Sequence, residues 1–548
     1  MKQKLITALL LASLAALSSG SLSAQETASP VEPWGSPPFV RAPFEPHRIL
    51  ALLYAGERDS ALTLVEAFEN TITDDPFVLL IKAKVLRERL NDEDNDKERI
   101  RRGTAPIHEL IDRAIDLCDE VLDRSDPDPR FYFYRGYGWM GKAQLHVLTR
   151  GYWSAGRAAS RGKNDLERYL EAYPKDPDAQ GMLGAYLYFA DALPGLIKIV
   201  AKLLFIPSGD RDKGFELLRY GASHPGLFTN DYRMIFAAIE MVFEGKFEKG
   251  SAAFVELSRE YPYYTRLIEP ISVVSPLCPL KVREFDRIQE TAITNHLSLD
   301  NQSTDWSLVK RMQLHRTFTN MYFGSPSDAI DEFTRLIDDP PSHPDWFLPV
   351  ARLNRGYFHQ KTGEKDKARA DFELVRSSDD MKHYHDAAKT LIESLDGSVK
   401  TIHLDELEFI GLIYDGRIEG ARESIQYYAK KYDDDALYNF YAGEIEVFEQ
   451  DFAEAANSYQ RALDCDETGG DQIYQTFAAL RLAELYGQEG IFDKARDYLD
   501  RAKEYCHANY LLDFMIRSRK RYYHLLDTGK IDDRPTMLVR QRTDLGSD

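Results

Sequence analysis

Apolar residues recur at intervals of three and four along most of the chain, and short turns marked by glycine or proline interrupt the pattern. That period puts the apolar side chains on one face of an α-helix, so it predicts amphipathic helices joined in pairs. The clearest pair runs Leu482, Ala483, Tyr486 to Gly490, then Phe492, Ala495, Leu499 and Ala502. Gly490 falls where one helix ends and the next begins, a C-cap position that favours a residue without Cβ.

The same frame returns upstream. Ala442, Gly443 and Glu446 are followed by Phe452, Ala455, Tyr459 and Ala462. Arg355, Gly356, His359 and Gly363 lead to Ala368, Phe372 and Val375. Ala237, Ala238, Met241 and Gly245 lead to Phe247, Gly250, Phe254 and Leu257. Weaker copies centre on Ala329, Phe333 and Leu336, on Ala421, Ile425 and Tyr428, and on Gly56, Ala61, Val65 and Phe68. Small residues on both helices permit a close approach, and the large residue four positions later fills the space between them. Several copies in one frame resemble the tetratricopeptide repeat. The resemblance implies an all-α fold, a right-handed α-solenoid of tetratricopeptide-type hairpins, irregular in the N-terminal half. The copies depart from the family period of ~34 residues, so insertions or longer helices interrupt the array. The block from Leu193 to Leu218 also resembles bacterial exported repeat proteins and, more distantly, the inclusion-body-clearance repeat family. Neither resemblance implies an active site.

Six segments are expected: a signal peptide at 1–24, a proline-rich leader at 25–46, divergent repeats at 47–265, a connecting segment at 266–300, a C-terminal array with a capping helix at 301–527, and a flexible tail at 528–548. Lys2 and Lys4 precede an apolar run from Leu5 to Leu17, then small and polar residues as far as Ala24, the expected cleavage point. The run is shorter than the ~20 residues that a membrane span requires. A periplasmic protein is expected, with secretion or peripheral attachment to the outer membrane as alternatives. Prolines at 30, 33, 37, 38, 43 and 46 exclude helix from the leader, and Pro270, Pro276 and Pro279 break the pattern at the connection. Asn91 to Arg102 reads as a charged insertion within a hairpin.

Charge narrows the partners. The formal net charge is −20, which disfavours nucleic acid and anionic lipid as whole-chain ligands. The cysteines, Cys118, Cys278, Cys465 and Cys506, match no zinc template. Cys465 and Cys506 each end a second helix of neighbouring repeats, and a bridge between them requires Cα atoms within about 7 Å.

Fragments that suggest chemistry fail on their own terms. Gly209 to Gly214 has the glycine spacing of a phosphate loop, but Phe215 and Glu216 stand where lysine and serine or threonine are needed. Gly221 to Gly226 has a displaced second glycine and no preceding strand, so it is no nucleophile elbow. Asp92, Asp94 and Asp96 begin like a calcium loop, but Lys97 and Gly103 occupy positions that need glycine and glutamate. His383 and His385, two apart on a helix, point to different faces. Arg517, Arg519, Lys520 and Arg521 read as a solvated face of the capping helix. No catalytic set, metal site or cofactor fingerprint is expected.

The resemblance implies a binding protein rather than an enzyme, with a protein or peptide partner. Carried over by frame, Ile235, Ile239, Val242, Leu353, Tyr357, Gln360, Phe440, Glu444, Phe448, Leu480 and Glu484 would line a groove on the first helices. The competing reading packs the apolar ones against neighbouring repeats. The apolar run opening at Leu193 and closing at Phe205 carries Lys198 and Lys202. It reads as a buried helix whose lysines reach solvent, or as an interfacial helix on a membrane surface. The function expected is an exported scaffold or adaptor of the cell envelope; the alternatives are a peripheral membrane- or lipid-associated repeat protein and an accessory subunit of an envelope enzyme.

Overall fold

A computed structural model describes residues 40–261 and 325–529, with internal breaks of which the longest are 193–208, 397–411 and 466–472, and isolated positions between 287 and 317. The expected signal peptide, most of the leader, most of the connecting segment, nearly all of the tail, Val242, Gly245, Cys278, His383, Cys506 and residues 193–206 lie outside the described residues. Those described hold twenty α-helices and no strand.

Two compact units partition the chain, one built mainly on residues up to Ile239 with Gly250–Ile268, the other mainly on Trp306 onward. The first contains α1 (Pro46–Tyr54), α2 (Arg58–Thr71), α3 (Pro76–Leu90), α4 (Lys97–Leu122), α5 (Arg130–Leu148), α6 (Tyr152–Ala172), α7 (Pro177–Ala192), α8 (Arg211–Ser223), α9 (Thr229–Ala238) and most of α10 (Phe247–Glu260). The second contains α11 (Pro326–Asp338), α12 (Phe347–Lys361), α13 (Lys365–Ser377), α14 (His385–Leu395), α15 (Ile418–Ala429), α16 (Ala436–Phe448), α17 (Phe452–Asp464), α18 (Ile473–Gln488), α19 (Phe492–Tyr505) and α20 (Tyr510–Asp527). The charged stretch after Asn91 is not all insertion, because α4 already begins at Lys97.

Consecutive helices pack on one another from α1 to α9, from α11 to α14 and from α15 to α20, and further contacts join alternate ones: α1 with α3, α3 with α5, α7 with α9, α12 with α14, and α16 with α18. Each such pair consists of first helices of neighbouring hairpins. The array is therefore ordered, with first helices touching first helices, as stacked repeats require.

The turns inside hairpins share one geometry. Gly56, Gly363 and Gly490 have φ of +81°, +82° and +79°, and Gln450 takes φ +66° at the equivalent place. Each turn is closed by an amide bonding back five residues: Glu57 to the Leu52 carbonyl, Glu364 to His359, Asp451 to Glu446, and Ile491 to Tyr486, at 2.8–2.9 Å. This is the Schellman pattern, which satisfies carbonyls that a helix end would otherwise strand. The second helix then starts at once, capped in α17 by the Asp451 carboxylate accepting from the Glu454 amide.

Candidate functional site: the first-helix face

Each hairpin is locked by a small residue opposite a large one. A Cβ at Gly356 would meet the Phe372 ring, one at Gly443 the Tyr459 ring, and one at Gly487 the Tyr523 ring. Ala368, Ala455, Ala495 and Ala502 are fully buried on the second helices, as are the large residues Phe372, Tyr459 and Leu499. Gly136 of α5 faces Leu166 of α6 in the same way.

An ion pair accompanies two of these locks. Arg355 donates to both carboxylate oxygens of Asp371, at 2.9 and 2.7 Å. Arg135 does the same to Asp165, at 2.9 and 2.7 Å, and adds Asp119 at 2.6 Å. Both arginines precede the small residue, and both aspartates precede the large one. The pattern Arg-Gly on a first helix with Asp-large on the second thus identifies the α5–α6 hairpin as a copy, although longer helices hide its spacing. Such a fork fixes orientation as well as contributing energy.

Along the first helices, buried charges run from repeat to repeat. In the second unit Arg481 donates from Nε and Nη2 to the Glu444 carboxylate at 2.7 and 2.9 Å, and from Nη1 to Glu484 at 3.0 Å. Arg519 of α20 reaches the other oxygen of Glu484 at 2.9 Å, and the Tyr459 hydroxyl donates to Glu444 at 2.7 Å. All four charged residues are buried. Burial alone would lower the Arg481 pKa, but the Glu444 and Glu484 carboxylates outweigh it and hold the guanidinium charged. Burial and the adjacent Glu444 push the Tyr459 phenol well above its ordinary value. Two carboxylates alternating with two guanidiniums make a charge-balanced ladder across α16, α18 and α20.

The first unit has a counterpart. Asp231 of α9 accepts from the Tyr54 hydroxyl of α1 and the Lys84 ammonium of α3, each at 3.0 Å. Burial pushes the Lys84 pKa down, and Asp231 opposes that shift. Asp178, at the start of α7, is completely buried and accepts from the Leu227 and Phe228 amides at 2.7 Å each. Burial, then the neighbouring Asp176, drives its pKa up to about 8, while those two amides pull it down.

These contacts settle where the expected groove residues stand. Ile235, Ile239, Leu353, Phe440, Phe448 and Leu480 are buried, and Glu444 and Glu484 lie inside the ladder. Only Tyr357 and Gln360 keep part of their surface among those described. The reason is the first-helix stacking: Phe440 of α16 packs its ring 6.0 and 5.8 Å from Tyr474 and Phe477 of α18. The basic cluster of the capping helix is likewise divided, with Arg519 turned inward and Lys520 paired to Asp500 on the surface.

Other fragments find structural employment. Asp210 caps α8 by accepting from the Lys213 amide at 3.0 Å. His385 bonds the Ser378 carbonyl through Nε2 at 2.8 Å. The Cys465 thiol donates to the Arg461 carbonyl at 3.2 Å. No group of three metal-ligating side chains occurs among the described residues, and no helix among them is long and apolar enough to cross a membrane.

Paired helices in register, with the small-against-large lock and the left-handed turn, define an all-α hairpin-repeat protein, a class that serves as protein-interaction scaffolds. Residues 407–470 match the family model described as tetratricopeptide repeat. No curated protein matches in sequence. Among solved structures, similarity extends to a human IFIT1 dimer with PPP-AAAA, at 13% identity over 76% of this chain and 88% of that one, with a TM-score of 0.29. The APC/C hetero-tetramer Cut9–Hcn1 is 14% identical over 89% and 91%, with a TM-score of 0.28. The P58(IPK) tetratricopeptide domain is 14% identical over 80% and 100%, with a TM-score of 0.18. Likeness of this degree says nothing about ligands.

Proposed function

We propose that this chain is an exported scaffold or adaptor that binds protein or peptide partners in the cell envelope and catalyses no reaction of its own. The repeat class carries the reading: stacked hairpins present a long continuous surface suited to an extended partner. The charged N-terminus, apolar run and small residues up to Ala24 support export to the periplasm. The buried ladder supports it indirectly, because a charge-balanced row of Arg and Glu stiffens the stack without offering an ionisable group to a substrate.

The test is cell fractionation combined with N-terminal sequencing, followed by photocrosslinking in the native cell. A mature chain that starts near residue 25 in the periplasmic fraction, and discrete adducts from a photoreactive residue at Tyr357 or Gln360, are expected. An uncleaved cytoplasmic chain would overturn the export part. Absence of adducts from every surface position tried would overturn the adaptor part. The apolar run from Leu193 to Phe205 keeps a second reading in play, that of a peripheral membrane protein. Flotation of the pure chain with phosphatidylglycerol vesicles is the outcome that would favour it.

A further inference from the structure

The chain has 89 acidic against 69 basic residues, yet from Pro129 to Asn164 it contains no Asp or Glu at all. That interval is α5 and most of α6; Arg130, Arg135, Lys142 and Lys163 find carboxylates from outside it, but the outer face of α6 does not. On α6, Trp153, Arg157, Arg161, Asn164 and Arg168 follow one another at three- and four-residue steps, and all five are exposed. Arg161 lies over the Trp139 ring at 4.6 Å and Arg168 over the Tyr132 ring at 5.6 Å, both rings belonging to α5. No carboxylate among the described residues lies within ion-pair distance of these three arginines, whereas Arg135, one layer further in, is saturated by Asp119 and Asp165. Lys163 is paired with Glu167 to one side of the stripe, and Glu171 bounds its far end.

An aromatic ring beneath a guanidinium orients it and leaves its N–H edge outward. The stripe is therefore a row of preoriented forks on the surface of a second helix, separate from the first-helix face on which the groove was expected. We propose that it docks a short acidic peptide segment of a partner protein. The proposal rests on the adaptor reading and supplies the chemistry of the partner. Charge complementarity decides the occupant: carboxylates match the forks bidentately, as Asp165 and Asp371 already do within this chain. A long polyanion would meet the −20 charge of the whole molecule. Trp153 is the only large apolar side chain exposed on the stripe, too little for insertion into a membrane. Spacing gives the register. Arg157 to Arg161 spans ~6 Å and Arg161 to Arg168 ~10.5 Å along the helix; an extended peptide turns alternate side chains to one face, so carboxylates at i, i+2 and i+4, ~6.6 Å apart at ~3.3 Å per residue, face the stripe, and the long Arg and Glu side chains span the remaining ~3 Å.

The experiment uses the full chain and a fluorescein-labelled peptide of about ten residues, long enough in extended form to reach all three arginines, with Glu at i, i+2 and i+4, read by anisotropy and by tryptophan fluorescence. Saturable, salt-sensitive binding is expected, falling ~tenfold or more in the R157Q/R161Q/R168Q variant and with a Gln-substituted peptide. The triple Arg→Lys variant, which keeps charge but loses the forks, should fall in between. Circular dichroism of each variant must match the parent, so that a folding defect is not mistaken for a lost site. Equal binding by parent and triple Gln variant would overturn the proposal. So would a thymidine oligonucleotide or phosphatidylglycerol vesicles binding the stripe more tightly than the peptide, since the site would then serve phosphates. Photocrosslinked adducts in cells without saturable peptide binding by the parent chain would sink the stripe and leave the adaptor reading standing. Peptide binding without any adduct in cells would do the reverse.

Discussion

In the second unit Gly356 and Gly443 lie against an aromatic ring of the following helix, and Gly487 of α18 against the Tyr523 ring of α20. The first unit meets the same need for close approach differently along α7 and α8. A Cβ at Gly184 would run into the Leu218 amide and the Gly214 carbonyl, and one at Gly221 would meet the Cα of Gly181. There, backbone packs on backbone. Charge differs in parallel. The second unit distributes it over an alternating ladder, Glu444, Arg481, Glu484, Arg519. The first unit concentrates it on two carboxylates, Asp231 bridging α1, α3 and α9, and Asp178 tethering the loop before α9. A ring can tilt whereas backbone cannot yield, and removing one cation from the ladder strands two buried carboxylates, whereas Asp178 is held by neutral amides. The first unit is thus expected to be the more brittle towards volume, and the second towards charge.

The largest effect should come from breaking the ladder. Arg481→Met leaves Glu444 and Glu484 buried without their shared cation, and a loss of about 3–5 kcal/mol is expected in urea unfolding. Adding Glu444→Leu should recover part of it, because an apolar pair avoids the desolvation cost; a double variant no better than the single one would show that the ladder is not a unit. Next is the contrast in volume. Gly184→Ala should cost about 3 kcal/mol and Gly443→Ala about half of that, since only the Tyr459 ring can give way. Hydrogen exchange resolved by helix checks this, and equal costs would remove the distinction between the units.

Acidity separates them further. The folded pKa of Asp178 stands near 8, above that of an unfolded carboxyl, so its contribution to stability is fully present at low pH and lost as pH rises towards and through 8. Thermal unfolding of the first unit should weaken by about 2 kcal/mol between pH 6 and 9, and Asp178→Asn should flatten that slope. The smallest effect is a gain. Gln450 holds φ +66° where its counterparts are glycine, so Gln450→Gly should stabilise the second unit by about 0.5–1 kcal/mol, read as a shifted unfolding midpoint.

Legibility followed regularity. The frames at Gly356, Gly443 and Ala483 could be read because the small residue, the turn residue and the large residue keep fixed offsets within one hairpin, a short-range property of the sequence. The α5–α6 copy was missed because its helices are longer, so the turn falls at another offset; the Arg135–Asp165 pair was the available signal. The groove positions were assigned by frame, and their periodicity was sound. Frame alone does not tell a first-helix residue that meets a ligand from one that meets the next first helix.

The sequence by itself determined helix, hairpin and turn, since amphipathic period, small-residue spacing and left-handed glycines act within one repeat. It also set the charge balance and the acid-free interval before Asn164. Tertiary structure decided which charges face inward. Arg519 and Arg168 both look like surface arginines on amphipathic helices, yet one is buried against Glu484 and the other is exposed over Tyr132. That choice depends on the helix that happens to lie alongside, and burial of a charge is favourable only where a neighbour supplies its counterpart.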